Sequence, residues 1–356
     1  MSLWLDKHRP ANLDKLTLHE GLNARLRKVA NSPQFPHLLF YGPPGSGKRT
    51  RIMCVLREMF GASVEKLKVE HREFKLDGVS KPVELTVVCS NHHVELNPSD
   101  AGTKDSKIVQ EVIKGIAENH AITSSQRTFK VVVLNEVDRL STSAQAALRR
   151  TMEKYSAGCR LILSCNSACR VIEPVRSRCM PVRVPAPSET EIEQVLQSVC
   201  KAERVQLPPE FAHKIAVQSE RNLRRALLML EASKVQAGPA GIRPDQPVAR
   251  ADWQTFIEQL AADVVARQSP DQLLACRSKF YELLTNCIPP EVILKQLSVE
   301  LLAKTDQALV QAVCREAAFY EHRIRKGQKP IFHLEAFAAK YMTLHSQWTL
   351  SMTQGM

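Results

Sequence analysis

The sequence lacks any run of about 18 apolar residues, which is the length that a membrane-spanning helix needs. Its N-terminal residues, MSLWLDK, have neither the apolar stretch of a secretory signal nor the arginine-rich composition of a transit peptide. These two absences predict a soluble, intracellular protein that has no membrane partner.

The sequence also lacks a metal-binding pattern of cysteines. Its 10 cysteines are scattered, with no C-x-x-C and no Cys/His group at zinc spacing. Most of them lie in apolar segments such as residues 161–165. We therefore expect reduced, buried thiols that act as small hydrophobic side chains, with no disulfide and no metal site built on cysteine.

Acidic residues are too few to balance the basic ones. The chain has 37 of them against 49 lysines and arginines, a formal net charge of +12. This excess favours a polyanionic partner, with nucleic acid as the first candidate; a basic protein without such a partner is the alternative. The length of 356 residues predicts two to three domains, and 44% hydrophobic residues are enough for their cores.

A glycine-rich turn at residues 42–50 is the strongest pattern in the chain. Apolar residues 37–41 before it predict a strand, and apolar residues from Ile52 to Phe60 recur at helical spacing after it. Strand, glycine-rich loop and helix are the context of a phosphate-binding P-loop, in which backbone N–H groups and Lys48 hold the phosphates. The predicted nucleotide-binding residues are Gly42, Pro43, Pro44, Gly45, Ser46, Gly47, Lys48, Arg49 and Thr50.

One position departs from the P-loop pattern, which has Ser or Thr after the lysine to bind magnesium through its hydroxyl. Arg49 stands there, and a guanidinium is a permanent cation with no acceptor atom. Thr50 is rotated by roughly 100° around the helix and cannot substitute for it. The loop should hold ATP or ADP while binding Mg²⁺ weakly or not at all.

A second departure affects the same ion. The apolar residues 129–134 predict a buried strand that ends in Asn135 and Glu136, where a Walker B motif has two acids. An amide at Asn135 contributes no net charge to a magnesium ion, whereas Glu136 keeps the position of the catalytic base. Both departures together predict a weak or inactive ATPase with no metal site of its own.

The segment between these motifs changes its periodicity. Residues 66–97 alternate apolar and polar side chains around an Asp77-Gly78 turn, which predicts a hairpin inserted beside the core sheet. An amphipathic helix follows over residues 108–116. Lys104 and Lys107 near its start are either phosphate contacts or ordinary solvated charges.

The helical residues 143–154 include Ala-Leu-Arg-Arg-Thr-Met-Glu, which resembles the clamp-loader branch of the AAA+ ATPases. Together with the P-loop and the opening Trp-Leu-Asp-Lys-His-Arg-Pro, it is similar to the small subunits of replication factor C. Arg149 and Arg150 in that helix are either exposed charges or contacts to DNA or an adjoining subunit. The resemblance extends from Trp4 to about Met342, and the collar helices look most similar to the type called subunit three in animals.

The resemblance implies roles for single residues. Asn166 matches the first sensor, and Arg224 matches the second sensor, although Arg221 and Asn222 replace the usual Gly-Asp before it. Arg178 in the Ser-Arg-Cys box is implied to be an arginine finger that reaches a neighbouring subunit's nucleotide. The opening segment is implied to lie against the adenine and contributes Lys7, Arg9 and Pro10 to the nucleotide site, with His8 where the family usually has tyrosine.

The resemblance also implies an α/β fold: an AAA+ parallel-sheet core (1–184), a helical lid (185–240) and an all-α collar (248–345). Proline- and glycine-rich breaks near residues 184–188 and 237–244 agree with these boundaries. Helices are expected over residues 20–31, 189–235, 273–285, 290–303 and 309–324, and the tail after Leu344 is left unassigned.

The function implied is that of one subunit in the nuclear, hetero-pentameric clamp loader, which uses ATP to load the sliding clamp (PCNA) on primer-template DNA for replication and repair. Its partners would be other replication factor C subunits, the clamp, and DNA held through phosphates. Two alternatives remain open: a self-sufficient AAA+ DNA-dependent ATPase, and a purely structural scaffold subunit.

Overall fold

The computed structural model describes residues 2–74, 83–98, 105–118, 129–156, 158–238 and 241–354. The chain forms two compact units, Met1–Ala249 and Arg250–Met356. The core and the lid expected from the sequence lie together in the first unit. No helix in these ranges is long and apolar enough to cross a membrane.

The first unit contains a seven-stranded sheet and nine helices in its described residues. The strands are β1 (Leu38–Tyr41), β2 (Lys68–Phe74), β3 (Val83–Cys89), β4 (His93–Leu96), β5 (Lys130–Leu134), β6 (Cys159–Cys165) and β7 (Met180–Arg183). The helices are α1 (Trp4–Lys7), α2 (Glu20–Ala30), α3 (Lys48–Phe60), α4 (Asp105–Glu118), α5 (Thr142–Lys154), α6 (Glu173–Arg176), α7 (Glu189–Ala202), α8 (Pro209–Gln218) and α9 (Leu223–Ala237).

The strand order is β2-β3-β4-β5-β6-β1-β7. The pairs β4–β5, β5–β6, β6–β1 and β1–β7 are parallel, whereas the pairs β2–β3 and β3–β4 are antiparallel. The predicted hairpin is therefore confirmed as β2 and β3, which extend one edge of the sheet; its Asp77-Gly78 turn lies outside the described residues. The parallel strands bring the loops after β1, β5 and β6 to one edge, where ligands of open α/β sheets bind.

Both faces of the sheet are covered by helices, because side chains alternate along each buried strand. Phe40, Val133 and Ile162 point to the face packed by α2 and α3. Leu39, Leu134 and Leu163 point to the opposite face, which α4 and α5 cover. This two-sided burial explains why the strands read as continuous apolar runs in the sequence.

Helices α7, α8 and α9 form a small separate core, confirming the predicted helical stretch from Glu189. Ser188 begins α7 with a capping box: its hydroxyl accepts from the Glu191 N–H, and the Glu191 carboxylate accepts from the Ser188 N–H. Trp4 of α1 is buried among these helices, so the N-terminal segment packs on the lid.

The second unit is all-helical over its described residues. Its helices are α10 (Asp252–Ala266), α11 (Pro270–Thr285), α12 (Pro290–Ala303), α13 (Gln307–Lys326) and α14 (Pro330–Gln354). Leu260, Leu297 and Phe337 lie at the centre of its core. Helix α14 continues through the tail that the sequence left unassigned, and Trp348 packs against the same core.

Candidate nucleotide-binding site

A cavity of about 490 Å³ lies at the sheet edge where β1, β5 and β6 end. It is bounded by the glycine-rich loop, the N-terminal segment and the lid helices α7 and α9. Its apolar wall consists of Leu5, Leu16, Leu18, Val195, Val199, Leu223 and Leu227. A cavity with an apolar wall on one side and a glycine-rich loop with basic side chains on the other matches the two ends of a nucleotide.

The glycines of the loop are required by its geometry. Gly45 has φ +74°, and a Cβ added there would lie 1.7 Å from the Asn222 Oδ1 of the lid. A Cβ on Gly42 would lie 1.9 Å from the carbonyl oxygen of Val184. Asn222 caps α9 by accepting from the Arg225 N–H, so the cap of a lid helix touches the phosphate loop. The loop therefore fits against the lid at Gly45, and against the residue after β7 at Gly42, only because these two positions carry no side chain.

Lys48 begins α3 and points back over its own loop. Its Nζ donates to the carbonyl oxygens of Gly42 (2.7 Å) and Pro43 (2.9 Å) and to the Asn166 Oδ1 (2.9 Å). Burial lowers the pKa of Lys48, an effect that nearby Cys165 and Asp138 partly offset. The structure thus joins the P-loop lysine to the residue predicted as the first sensor.

Arg51 is a site residue that the sequence reasoning missed. Its side chain is 1% exposed and donates to the carbonyl oxygens of Ser46 (3.1 Å) and Leu18 (2.9 Å). Burial lowers the pKa of this arginine to about 10. One guanidinium therefore ties the phosphate loop to the N-terminal segment that lines the cavity.

The two positions that would hold magnesium are joined by a buried carboxylate. Arg49 Nη2 lies 2.9 Å from Glu95 Oε2, and Asn135 Nδ2 donates to Glu95 Oε1 at 2.8 Å. Arg49 brings a cation where a metal needs an oxygen ligand, and Asn135 points a donor at Glu95. The residues present do not fit a magnesium ion at this place.

Other titratable groups line the same edge. Glu136, in the left-handed region at φ 53°, is paired with Arg139 at 3.0 Å. Asp138 Oδ2 accepts from the N–H groups of Asn166 (3.1 Å) and Ser167, and so fixes the backbone of the predicted sensor. In the described ranges, no group of three or more His, Cys, Asp or Glu side chains is placed to hold a metal ion.

The N-terminal segment is fastened to the lid by charge. His8 Nε2 and Lys7 Nζ lie 2.5 Å and 2.6 Å from the same oxygen of Glu203. His8, Arg9 and Pro10 line the cavity, whereas Lys7 lies outside its wall. A second link to the lid is the hydrogen bond from the Trp4 N–H to Glu231, which lies in α9.

On the lid, the positions that match the second sensor have different tasks. Arg224 lines the cavity. Arg221 instead donates to the carbonyl oxygens of Pro187 (2.9 Å) and Ala186 (3.1 Å), in the segment between β7 and α7. The unusual Arg221-Asn222 pair therefore anchors the lid, and Arg224 remains at the cavity.

Arg178 lies away from the cavity, just after α6. Its Nε donates to Glu153 Oε1 at 2.8 Å, and its Nη1 donates to the Pro174 carbonyl oxygen at 2.7 Å. The side chains of Arg178 and Glu153 are 32% and 51% exposed. The guanidinium is thus held at the surface of its own chain.

The basic residues predicted near DNA are exposed where the structure describes them. Arg149 and Arg150 lie on the outer side of α5, and Arg149 Nε is 3.8 Å from Glu153. Lys107 is exposed on α4, and Lys104 lies outside the described residues. None of the three described side chains lines the cavity.

Family models match most of the chain in three parts. Residues 253–349 match the C-terminal domain of replication factor C subunit 3, and residues 194–235 match an RCF1/5-like AAA+ ATPase lid domain. Residues 19–188 match the delta subunit of DNA polymerase III.

Full-length relatives decide the family. Replication factor C subunit 5 of Oryza sativa subsp. japonica is 53% identical over 98% of this chain and 99% of its own length. Replication factor C subunit 3 of Bos taurus and that of Homo sapiens are each 50% identical over 100% of this chain and 99% of theirs. The chain belongs to the replication factor C subunit family.

The family resemblance drawn from the sequence is thereby confirmed, including the similarity to subunit 3 of animals. Among solved structures, a RuvB variant of Thermotoga maritima is 15% identical, with a TM-score of 0.50 over 83% of this chain and 90% of that one. At this identity the likeness shows the fold alone. The α/β AAA+ fold class with its lid and all-helical C-terminal region is confirmed.

The cavity collects most of the predicted nucleotide-binding residues of this replication factor C subunit. Those in its wall are Arg9, Pro10, Pro44, Gly45, Ser46, Gly47, Lys48, Arg49, Thr50 and Arg224. Glu136 and Asn166, which were predicted in catalytic roles, also line it. Gly42 and Pro43 contribute through their carbonyls to Lys48, as described above.

Seven of the ten cysteines are buried, as expected, and all ten are free; Cys169, Cys287 and Cys314 are exposed.

Proposed function

We propose that this chain is a subunit of the clamp loader, the hetero-oligomer of replication factor C subunits that uses ATP to open the sliding clamp (PCNA). The assembly would place the clamp on primer-template DNA for replication and repair in the nucleus. Membership in the family over the full length of the chain supports this role. In it, the core (1–184) binds nucleotide, the lid (185–240) covers it, and the collar (248–345) joins the subunits.

The observation that carries the proposal is the separation of two basic side chains. Lys48 lies inside the cavity, bonded to its own loop, whereas Arg178 lies outside it at the surface. A guanidinium acts on a transferring phosphoryl group only when it touches that group. Arg178 is therefore assigned to the nucleotide of a neighbouring subunit, as an arginine finger supplied in trans.

The chain's own site is proposed to hold ATP or ADP with little or no magnesium. The loop amides and Lys48 would bind the phosphates, and the apolar wall with Arg9 and Pro10 would bind the base. Asn166 and Arg224 would face the terminal phosphates. Arg49 and Asn135 both contact Glu95, so neither is available to bind magnesium. Without that ion the site would bind nucleotide but not hydrolyse it, and Glu136 would have only the position of a base.

DNA is proposed to be held through its phosphates, without reading of the bases. The formal net charge of +12 and the exposed Arg149, Arg150 and Lys107 support this, with Lys104 as a further candidate. Raising salt from about 50 to about 200 mM should weaken DNA binding by the assembly by about 10³-fold or more. An affinity that stays nearly constant over this range would contradict phosphate-based binding.

The decisive test of the finger is the ATPase rate of the reconstituted complex carrying Arg178→Ala. We expect a fall of at least about tenfold, because arginine fingers contribute about 10³ to 10⁵ in rate at the sites they complete. Arg176→Ala is the matched control, since Arg176 is two residues away and pairs with Glu173. Unchanged activity of Arg178→Ala would favour the scaffold alternative.

A further inference from the structure

A buried acid, Glu95, lies beneath the nucleotide cavity and takes no part in the motifs of the sequence. It is 4% exposed and sits in β4, beside β5 in the sheet. It points to the face covered by α3, since its neighbours Val94 and Leu96 belong to the core on the opposite face. A carboxylate buried to this extent needs a counter-charge and hydrogen bonds.

The two partners of Glu95 are the two side chains that depart from the magnesium-binding patterns of the P-loop and the Walker B strand. Arg49 Nη2 lies 2.9 Å from one carboxylate oxygen, and Asn135 Nδ2 lies 2.8 Å from the other. Each oxygen therefore receives one donor. Position 49, where a P-loop carries a hydroxyl, and position 135, where a Walker B strand carries an acid, therefore contact the same carboxylate.

These positions surround the place where P-loop proteins hold a divalent ion. Here the positive charge at that place comes from a guanidinium attached to the chain. Arg49 lines the cavity with its side chain half exposed, whereas Glu95 lies below the cavity wall. The carboxylate neutralises Arg49 from beneath and fixes its guanidinium at the floor of the phosphate site.

We propose that Glu95, Asn135 and position 49 form a divalent-cation site in which the Arg49 guanidinium replaces the cation. The proposal deepens the proposed nucleotide-binding function and rests on it for the location of the phosphates. Glu95 is the oxygen ligand of this site. With a hydroxyl at position 49, the Glu95 carboxylate, that hydroxyl and the carbonyl oxygen of a rotated Asn135 amide become three hard oxygen ligands of the kind that Mg²⁺ prefers.

The test is the coupling between metal and nucleotide in the purified full chain. Binding of fluorescent ADP is measured with excess Mg²⁺ and with EDTA. The wild type should give affinities within about twofold of each other, whereas Arg49→Thr should bind about tenfold or more tightly with Mg²⁺, a typical coupling between ligands. The double variant Arg49→Thr/Glu95→Gln should lose this gain, and Arg49→Lys, which keeps the charge, should behave as the wild type.

Three results would overturn the proposal. They are strong Mg²⁺ coupling in the wild type, no coupling in Arg49→Thr, and coupling that persists in the double variant. In the last case Glu95 would not be a ligand.

A measurement without nucleotide separates this inference from the proposed function. Binding of Mn²⁺ followed by electron paramagnetic resonance should be tighter in Arg49→Thr than in the wild type and the double variant. Equal binding in all three proteins would overturn the cation site even if every protein binds ADP. Failure of all variants to bind ADP would instead contradict the nucleotide-binding function, and the Mn²⁺ comparison would still decide this inference.

Arg49→Thr leaves a buried carboxylate without its counter-charge, so its folding is checked by circular dichroism. Glu95→Gln alone avoids this risk because it removes the buried charge itself. Its ADP affinity in EDTA should rise about threefold, since one negative charge beneath the phosphates is lost. A fall in affinity would contradict the neutralising role of Glu95.

Discussion

Lys48 and Arg178, two of the cationic side chains that the proposed function assigns to phosphates, have different partners. Lys48 is bonded to two carbonyls of its own loop and to Asn166, inside the cavity. Arg178 is bonded to one carbonyl and to Glu153, whose side chain is half exposed. Both side chains are partly exposed, but the first lies in the cavity wall and the second lies outside it.

Under the proposed function, this difference would let one chain contribute to two nucleotide sites. Exposed ion pairs contribute about 0 to 1 kcal/mol, so Arg178 can leave Glu153 at small cost when a stronger anion approaches. Arg49, by contrast, pairs with the almost fully buried carboxylate of Glu95, and separating them leaves a buried charge without its partner. In the proposed function, Arg178 would therefore be able to reach a neighbouring subunit, whereas Arg49 would stay paired with Glu95 in its own site.

The largest effect within the cavity should come from Lys48→Ala. We expect the affinity of the chain for ADP to fall by about 10- to 100-fold, because a charge-assisted hydrogen bond to the phosphates contributes about 1.5 to 3 kcal/mol. Titration with fluorescent ADP measures it, and Lys28→Ala on the exposed side of α2 is the control. Equal ADP affinities of Lys48→Ala and Lys28→Ala would contradict the assignment of Lys48 to the phosphates.

Gly45→Ala should loosen the contact between the loop and the lid. The left-handed φ of +74° alone costs a residue with a Cβ about 1 to 2 kcal/mol, and the clash with Asn222 adds to this. Chemical denaturation should therefore show a lower free energy of unfolding.

The same substitution at Gly21 is the control, because an added Cβ there meets no described atom within 4 Å. Gly21→Ala in helix α2 should stabilise the chain by about 0.5 kcal/mol. Equal losses at both positions would contradict the tight fit at Gly45.

Acid should destabilise the strand that leads into the phosphate loop. The Nδ1 of His37 accepts from the Leu161 N–H at 3.0 Å, and burial lowers the pKa of His37 to about 4. The unfolded chain therefore binds more protons between pH 6.5 and 4, and the stability present above pH 6.5 is lost as the pH falls. Going from pH 7 to pH 5 should cost about 1 to 2 kcal/mol.

Urea unfolding at the two pH values measures this loss. His37→Gln should reduce the pH dependence, whereas His213→Gln, at a largely exposed side chain, should leave it unchanged. An identical pH dependence in His37→Gln and the wild type would show that His37 is not the group that titrates.

Glu153→Gln should have the smallest effect. Losing an exposed carboxylate should change the ATPase rate of the assembled complex by less than about threefold, because such pairs contribute little. Steady-state turnover measures it beside Arg178→Ala. A loss of ATPase activity as large as that of Arg178→Ala would mean that Glu153 positions the arginine finger.

Local patterns predicted the central features of the fold. The strand, loop and helix around residues 38–60, the hairpin strands, the helical stretch of α7 to α9 and the helices α11 to α13 follow from hydrophobic periodicity and caps, which are properties of neighbouring residues. The family motifs then placed Lys48, Asn166 and Arg224, and the structure brings these three to one cavity.

The features that the sequence did not predict depend on contacts between distant residues. Glu95 and Arg51 are charged residues in apolar surroundings, and only the folded chain shows which groups they meet. Trp4 packs on the lid, more than 180 residues away. Helix α14 continues past Leu344, where Trp348 packs against the core of the second unit. The polar residues of this tail do not predict that contact.

We propose that this chain retains nucleotide without hydrolysing it and completes a neighbour's site with Arg178. The nucleotide content and the ATP turnover of the purified chain alone test the first part of this proposal. We expect about one bound nucleotide per chain, as a single P-loop implies, and turnover no faster than the buffer background. Robust turnover by the lone chain would contradict it, because Arg49 and Asn135 would then not disable the site.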